Sequence, residues 1–209
     1  MLLIGLTGNI ASGKSEVARM LARRGAKLID ADLLAREAVE PGTHALGEIK
    51  KEWGDDVISD DGKLDRPALR RIVFGDQGEL AVLNSIVHPE VTRLRDREIE
   101  AARARGDEFV VCVIPLLFER SLVDDFDCIV LVDAPRPVRL ERMVATRGID
   151  ETEAMNMIAA QMPAELKRAR ADFVIENTGS ISDLESDVEE LWASLKRTAS
   201  GATSTVSVS

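Results

Sequence analysis

Leu2-Leu3-Ile4-Gly5-Leu6-Thr7, followed at once by Gly8-Asn9-Ile10-Ala11-Ser12-Gly13-Lys14-Ser15, is the stretch that decides the fold. Its first six residues form a short apolar run suited to a buried strand. The next eight fit Gly-x-x-x-x-Gly-Lys-Ser, a loop whose backbone N–H groups converge at the amino end of the following helix and make a nest for an anion. Val17, Met20 and Leu21 then recur at helical spacing, and Gly25 stands where a helix stops. A polyphosphate is expected in this loop, bound by Gly8, Asn9, Ile10, Ala11, Ser12, Gly13, Lys14 and Ser15. Lys14 reaches the β- and γ-phosphates, and the Ser15 hydroxyl binds Mg²⁺. At Gly8 and Gly13 a Cβ would obstruct the close backbone approach. A Gly-rich strand-to-helix turn without a ligand is the weaker alternative.

Outward from that loop, Ala26–Asp30 reads as a second strand with Asp30-Ala31-Asp32 at its carboxyl end. Open parallel α/β sheets bind ligands beyond the carboxyl ends of their strands, so a carboxylate here is placed to face a transferred phosphate. Asp32 is the candidate to orient or deprotonate an acceptor hydroxyl. The alternative is that Asp30 or Asp32 caps a helix beginning at Leu33-Leu34-Ala35. From there to about Asp107 no strand pattern appears, and helical periodicity recurs between turn signals, which marks a helical insertion. His88-Pro89 is expected to break the chain between a helical segment, Glu79–Val87, and a long charged helix, Glu90–Arg105. The arginines of that helix alternate with acidic residues, as on a solvated face. His88 reads equally well as a buried, hydrogen-bonded histidine or as a ligand contact.

Phe109–Ile114, Cys128–Val132 and Ala171–Glu176 supply three further strand patterns. No Asp ends the Phe109–Ile114 run to complete a metal site, and Glu119 is the nearest carboxylate downstream. A helix over Pro137–Ala145 shows Leu140, Met143 and Val144 on one face and leaves Arg139, Arg142 and Arg147 available. Phosphoryl transfer needs such cations, because charge spreads onto the transferred oxygens. Asp150 with Glu153 marks a helix start, and Met155, Ile158 and Met162 form the next apolar stripe; the two helices suit a lid that excludes water. Asn177-Thr178-Gly179 is a turn where a nucleotide base would lie. Ser182 and Glu185 have capping-box spacing ahead of a closing helix whose apolar face includes Leu184, Val188, Leu191, Trp192 and Leu195. Residues 199–209 are expected to be a disordered tail.

Five strands alternating with helices imply a three-layer α/β fold around a parallel sheet. The 209 residues carry a formal net charge of −10, which argues against a nucleic-acid binder. No apolar run is long enough to span a bilayer and no leader pattern precedes the first strand, so a soluble, cytoplasmic protein without membrane partners is expected. Cys112 and Cys128 lie in strand-like runs and read as buried, reduced thiols. His44 and His88 are too few for a metal cluster.

Taken in order, Gly8–Ser15, Asp30-Ala31-Asp32, Leu83-Asn84-Ser85-Ile86-Val87-His88-Pro89, Pro115-Leu116-Leu117-Phe118-Glu119 and the Gln161, Lys167, Ala171-Asp172, Asn177 series resemble the dephospho-CoA kinase family over roughly residues 1 to 197. The resemblance implies a P-loop nucleoside-triphosphate hydrolase fold with a five-stranded parallel sheet. Residues 1–31 and 108–198 would form the kinase core, with a lid at about 140–170, and residues 32–107 a helical insertion that binds dephospho-CoA. It further implies transfer of the ATP γ-phosphate to the ribose 3′-hydroxyl of dephospho-CoA, the last step of coenzyme A synthesis, with Mg²⁺; a monomer is expected. Asp32, Lys14, Arg142 and Arg147 are then catalytic, and Asn177 binds the nucleotide. Asp32, Arg36, His88, Pro115, Leu116 and Glu119 bind the acceptor. Asn9 and Ala11 replace two glycines common in the family's loop, and Glu16 stands where Thr is frequent. Two other readings are a P-loop kinase for a nucleoside or sugar, and a non-catalytic nucleotide-binding switch. The switch is disfavoured because no Asn-Lys-x-Asp base-reading motif occurs.

Overall fold

Five short strands, β1 (Leu2–Thr7), β2 (Lys27–Asp30), β3 (Phe109–Val113), β4 (Cys128–Asp133) and β5 (Phe173–Glu176), form one sheet in the order β2-β3-β1-β4-β5 in the computed structural model, which describes residues 1–201. β1 pairs in parallel with β3, from Leu2 opposite Phe109 to Leu6 opposite Val113, and with β4, up to Thr7 opposite Leu131. β4 pairs in parallel with β5. Every residue of β3 and β4 is buried, which is why both read as unbroken apolar runs rather than alternating ones. The expected three-layer α/β architecture with a five-stranded parallel sheet is the one observed.

The chain divides into two compact units, residues 1–28 with 102–201, and residues 29–101. In the first unit, α1 (Lys14–Arg23) and α9 (Ile181–Ala199) cover one face of the sheet. Val17, Leu21, Leu184, Val188 and Trp192 pack with Ile4, Leu6, Val111 and Val130. The Phe109 and Trp192 rings meet with centroids 4.5 Å apart. α9 is capped by Ser180, whose side chain accepts from Asp183 N while Asp183 accepts from the Ser180 backbone. The expected Ser182–Glu185 box is therefore displaced: the helix already runs at Ile181, so Ser182 lies inside its first turn. Ala199 is still helical, and residues 202–209 of the expected tail lie outside the described residues.

Three helices follow β4: α6 (Arg136–Arg147), α7 (Glu151–Ala159) and α8 (Ala164–Arg168). Asp150 caps α7 as expected, accepting from Thr152 N and Glu153 N. Met143, Ala154 and Ile158 form a small separate core, and Leu140, Ile149, Ile10 and Ala11 pack against it. Val144 is exposed and Met162 lies past the end of α7, so neither extends the apolar stripe expected of it.

The second unit carries α2 (Ala31–Glu37), α3 (His44–Trp53), α4 (Arg66–Val73) and most of α5 (Gln77–Arg105). Asp30, Thr43 and Asp65 cap the first three. α2 starts at Ala31, not Leu33, because the Asp30 carboxylate accepts from Asp32 N at 2.8 Å. The expected break at His88-Pro89 does not occur: α5 is one 29-residue helix with Pro89 inside it. Proline there removes one N–H donor, a cost of about 3 kcal/mol. Buried Val91, Leu94 and Ile99 on the following turns offset it. Among the described residues no helix is long and apolar enough to cross a membrane.

Candidate active site

The loop after β1 is shaped by close backbone approach. A Cβ on Gly8 would stand 2.4 Å from Val132 O, so only glycine lets the loop leave the sheet beside β4. Gly13 has φ 95°, and a Cβ there would meet Asn177 Nδ2 at 2.0 Å. Between them Asn9–Ser12 form a turn closed by Ser12 N donating to Asn9 O at 3.1 Å, with Ala11 at φ 59°. Lys14 is half-buried and Ser15 exposed in the first turn of α1, and that helix opens at Gly13 without a side-chain cap. An uncapped helix start with inward-facing N–H groups is a site for an oxyanion.

Two side chains close over this loop. Arg142 of α6 donates from Nη1 to Ala11 O at 3.4 Å, and from Nη2 to Asn177 O at 3.1 Å and Asn177 Oδ1 at 3.3 Å. These three acceptors are neutral and, among the described residues, no carboxylate pairs with Arg142, so the guanidinium brings a positive charge to the loop. Asn177, expected beneath a nucleotide base, is buried instead. Its Nδ2 donates to Ser12 O at 2.9 Å and its N–H to Asp133 O at 2.8 Å, so it clasps the loop and orients Arg142. Arg147 is exposed in the last turn of α6, and five helical residues rotate it to a different side from Arg142. Arg139, expected to be available, is buried. Its Nε donates to Ala134 O at 3.0 Å, and burial lowers its pKa below the ordinary arginine value.

A third group of contacts braces the loop from the α7–α8 connection. Ile10 N donates to Gln161 Oε1 at 2.8 Å and Asn9 Nδ2 to Met162 O at 3.4 Å. Met162 N donates to Glu119 Oε1 at 3.3 Å, and the same oxygen pairs at 2.8 Å with Lys167 Nζ, which is wholly buried. Pro115 O accepts from Thr7 Oγ1 at 3.3 Å, whereas Leu116 is exposed. Asp133 ends β4 with both carboxylate oxygens engaged: Oδ1 accepts from Ala134 N and Oδ2 from Arg168 Nε at 2.7 Å. Gln161 and Lys167 belong to the motif series of the sequence, but their contacts are not legible there, and Asp133 and Arg168 fall in no motif. Each acts through partners distant in sequence, Gln161 on Ile10, Lys167 on Glu119 and Arg168 on Asp133, and nothing in its local sequence marks them.

In the second unit Asp32 and Arg36 are exposed on α2. Asp30 serves as the cap, which leaves the Asp32 carboxylate outside the helix's own needs. His88 is half-buried and lines a largely apolar cavity of about 390 Å³ together with Val39, Ile49, Leu69, Leu83 and Arg70. Among the described residues no three His, Cys, Asp or Glu side chains gather as a metal cluster.

A parallel sheet, a phosphate loop running into a helix and an arginine from a helical pair closing over it define a P-loop kinase. The sequence profile of dephospho-CoA kinase matches residues 2–183. A dephospho-CoA kinase of Thermobifida fusca is 48% identical over 94% of this chain and 98% of its own, and one of Streptomyces avermitilis is 48% identical over 93% and 94%. A crystal structure from Thermus thermophilus superposes with a TM-score of 0.80 at 41% identity, covering 93% of this chain and 97% of that one. Dephospho-CoA kinase from Campylobacter jejuni, at 22% identity, TM-score 0.66 and coverage of 92% and 96%, shares the fold. The chain belongs to the dephospho-CoA kinase family.

Proposed function

We propose that this chain transfers the γ-phosphate of ATP to the ribose 3′-hydroxyl of dephospho-CoA, giving coenzyme A and ADP. The observation that carries phosphoryl transfer is Arg142, a cation held over the phosphate loop by three neutral carbonyl oxygens. Such a preorganised charge stabilises the transferred oxygens as negative charge spreads onto them. The choice of acceptor rests on the family profile and on relatives named dephospho-CoA kinase.

In this mechanism the 3′-oxygen forms a bond to Pγ as the bond from Pγ to the β–γ bridging oxygen breaks and ADP leaves. Asp32 orients the hydroxyl and accepts its proton; its freedom from capping duty supports that role. Gly8, Asn9, Ile10, Ala11, Ser12 and Gly13 present the loop, Lys14 steadies the β- and γ-phosphates, and Asn177 fixes the loop and Arg142. Arg147 is a second closing cation when the lid shuts. The Ser15 hydroxyl, exposed at the helix start, together with phosphate oxygens and water, is a donor set that suits Mg²⁺. Bound there, Mg²⁺ supplies charge neutralisation of the phosphates. The acceptor is held by Arg36 and His88, with the His88 cavity as its apolar surface, and by Pro115, Leu116 and the part of Glu119 not engaged by Lys167. The buried thiols of Cys112 and Cys128 suit the cytoplasm.

Purified protein incubated with ATP, Mg²⁺ and dephospho-CoA is expected to form CoA and ADP, and Lys14→Ala is expected to impair ATP binding and turnover together. Phosphorylation of a nucleoside or sugar with no CoA formed overturns the choice of acceptor.

A further inference from the structure

Ala11 holds a side chain in the left-handed region, at φ 59°, inside the phosphate loop. An L-residue is strained there in a way glycine is not, and such a conformation persists only where its surroundings over-determine it. The turn's own closure is Ser12 N to Asn9 O at 3.1 Å. Of the bonds that reach it from outside, Ile10 N to Gln161 Oε1 is the shortest at 2.8 Å and is made by the residue before Ala11; Asn177 Nδ2 to Ser12 O is 2.9 Å, and Asn9 Nδ2 to Met162 O and Arg142 Nη1 to Ala11 O are both 3.4 Å. Ile10 and Ala11 also pack on the core shared by α6 and α7. Gln161 is itself held in place, because its neighbour Met162 donates to Glu119, whose position is set by wholly buried Lys167.

We propose that Gln161 is a positioning residue for the nucleotide. Its carboxamide clamps the Ile10 N–H and so keeps Ala11 in the left-handed turn from which the following N–H groups converge on phosphate. It acts through Ile10 and Ala11 and touches no reacting atom. The inference rests on the loop being the ATP phosphate site.

If strain at Ala11 is what Gln161 holds, removing the strain makes Gln161 dispensable. ATP affinity is measured by calorimetric titration for the wild type, Gln161→Met, Ala11→Gly and the double variant, alongside thermal melts and the KM for dephospho-CoA. Gln161→Met is expected to weaken ATP binding about tenfold, the worth of one directed hydrogen bond, with the KM for dephospho-CoA changed by less than about twofold. Adding Ala11→Gly is expected to restore ATP affinity to within about threefold of wild type. Unchanged ATP affinity in Gln161→Met overturns the inference, and so does a loss that Ala11→Gly does not restore, since a merely structural carboxamide would lower the melting point without that rescue. If Gln161→Met does not fold, Gln161→Ala carries the same comparison: a loss of ATP affinity that Ala11→Gly restores is expected, and a loss without rescue overturns the inference. Absence of ATP binding by the wild type overturns the phosphate-site reading as well.

Discussion

Replacing Gly13 by alanine tests the loop, its clasp and its cation together. The new Cβ would stand 2.0 Å from Asn177 Nδ2, on a backbone at φ 95°. The left-handed conformation alone costs an L-residue about 1–2 kcal/mol. The Asn177 carboxamide must move, which gives up its donation to Ser12 O and the Arg142 bond to its Oδ1. One neutral and one charge-assisted hydrogen bond together are worth about 2–3 kcal/mol. The total is about 4 kcal/mol, shared between a lower melting temperature and weaker nucleotide binding, and roughly a hundredfold rise in the Kd for ATP takes the larger part. Calorimetric titration with ATP, without acceptor, reads it directly. In a Gly13→Ala/Asn177→Ala cycle the clash is absent, so the double variant is expected to lose about 1–3 kcal/mol less than the sum of the single changes. A Gly13→Ala Kd close to wild type, or full additivity, would refute the assignment of Asn177 as the clasp.

Three further outcomes follow from the same geometry. Asp32→Asn is expected to lower turnover about 10²–10⁴-fold while ATP affinity stays within a few-fold, and lost ATP binding with normal turnover would remove Asp32 from the acceptor side. Lys167→Met leaves Glu119 and the Met162 connection without their buried partner and is expected to destabilise by about 3–5 kcal/mol, a drop of roughly 10 °C in melting temperature; an unchanged melt would show that the pair does not brace the fold. Burial first, then the negative charges of Asp172 and Asp127, push the Cys128 thiol up to about 12, so iodoacetamide at mildly alkaline pH is expected to label it only in denaturant. Because the folded value is raised, its contribution to stability is whole below the ordinary thiol pKa and is lost as pH rises towards about 12. Native labelling of Cys128 detected by mass spectrometry would contradict its burial.

Local rules were sufficient wherever one short segment carries its own cause. Gly8 and Gly13 mark the loop because no other residue fits those approaches, Asp150 caps α7 from its own side chain, and β3 and β4 read as buried strands because both their faces are covered. They failed where a distant surface outweighed a local preference. Pro89 reads as a breaker, yet the buried residues beyond it carry α5 through. Arg139 and Arg142 read alike, three residues apart on one helix, but one is buried against Ala134 O while the other reaches the loop. The sequence by itself determined the parallel α/β fold, the phosphate loop and the family, since these rest on glycine sterics, apolar periodicity and an ordered set of motifs. Tertiary structure alone decided that Asp30 and not Asp32 is the cap, that Asn177 clasps the loop, and that Gln161 and Glu119 brace it. Those roles belong to pairs of atoms that only folding brings within hydrogen-bond distance, and neither member of a pair carries them alone.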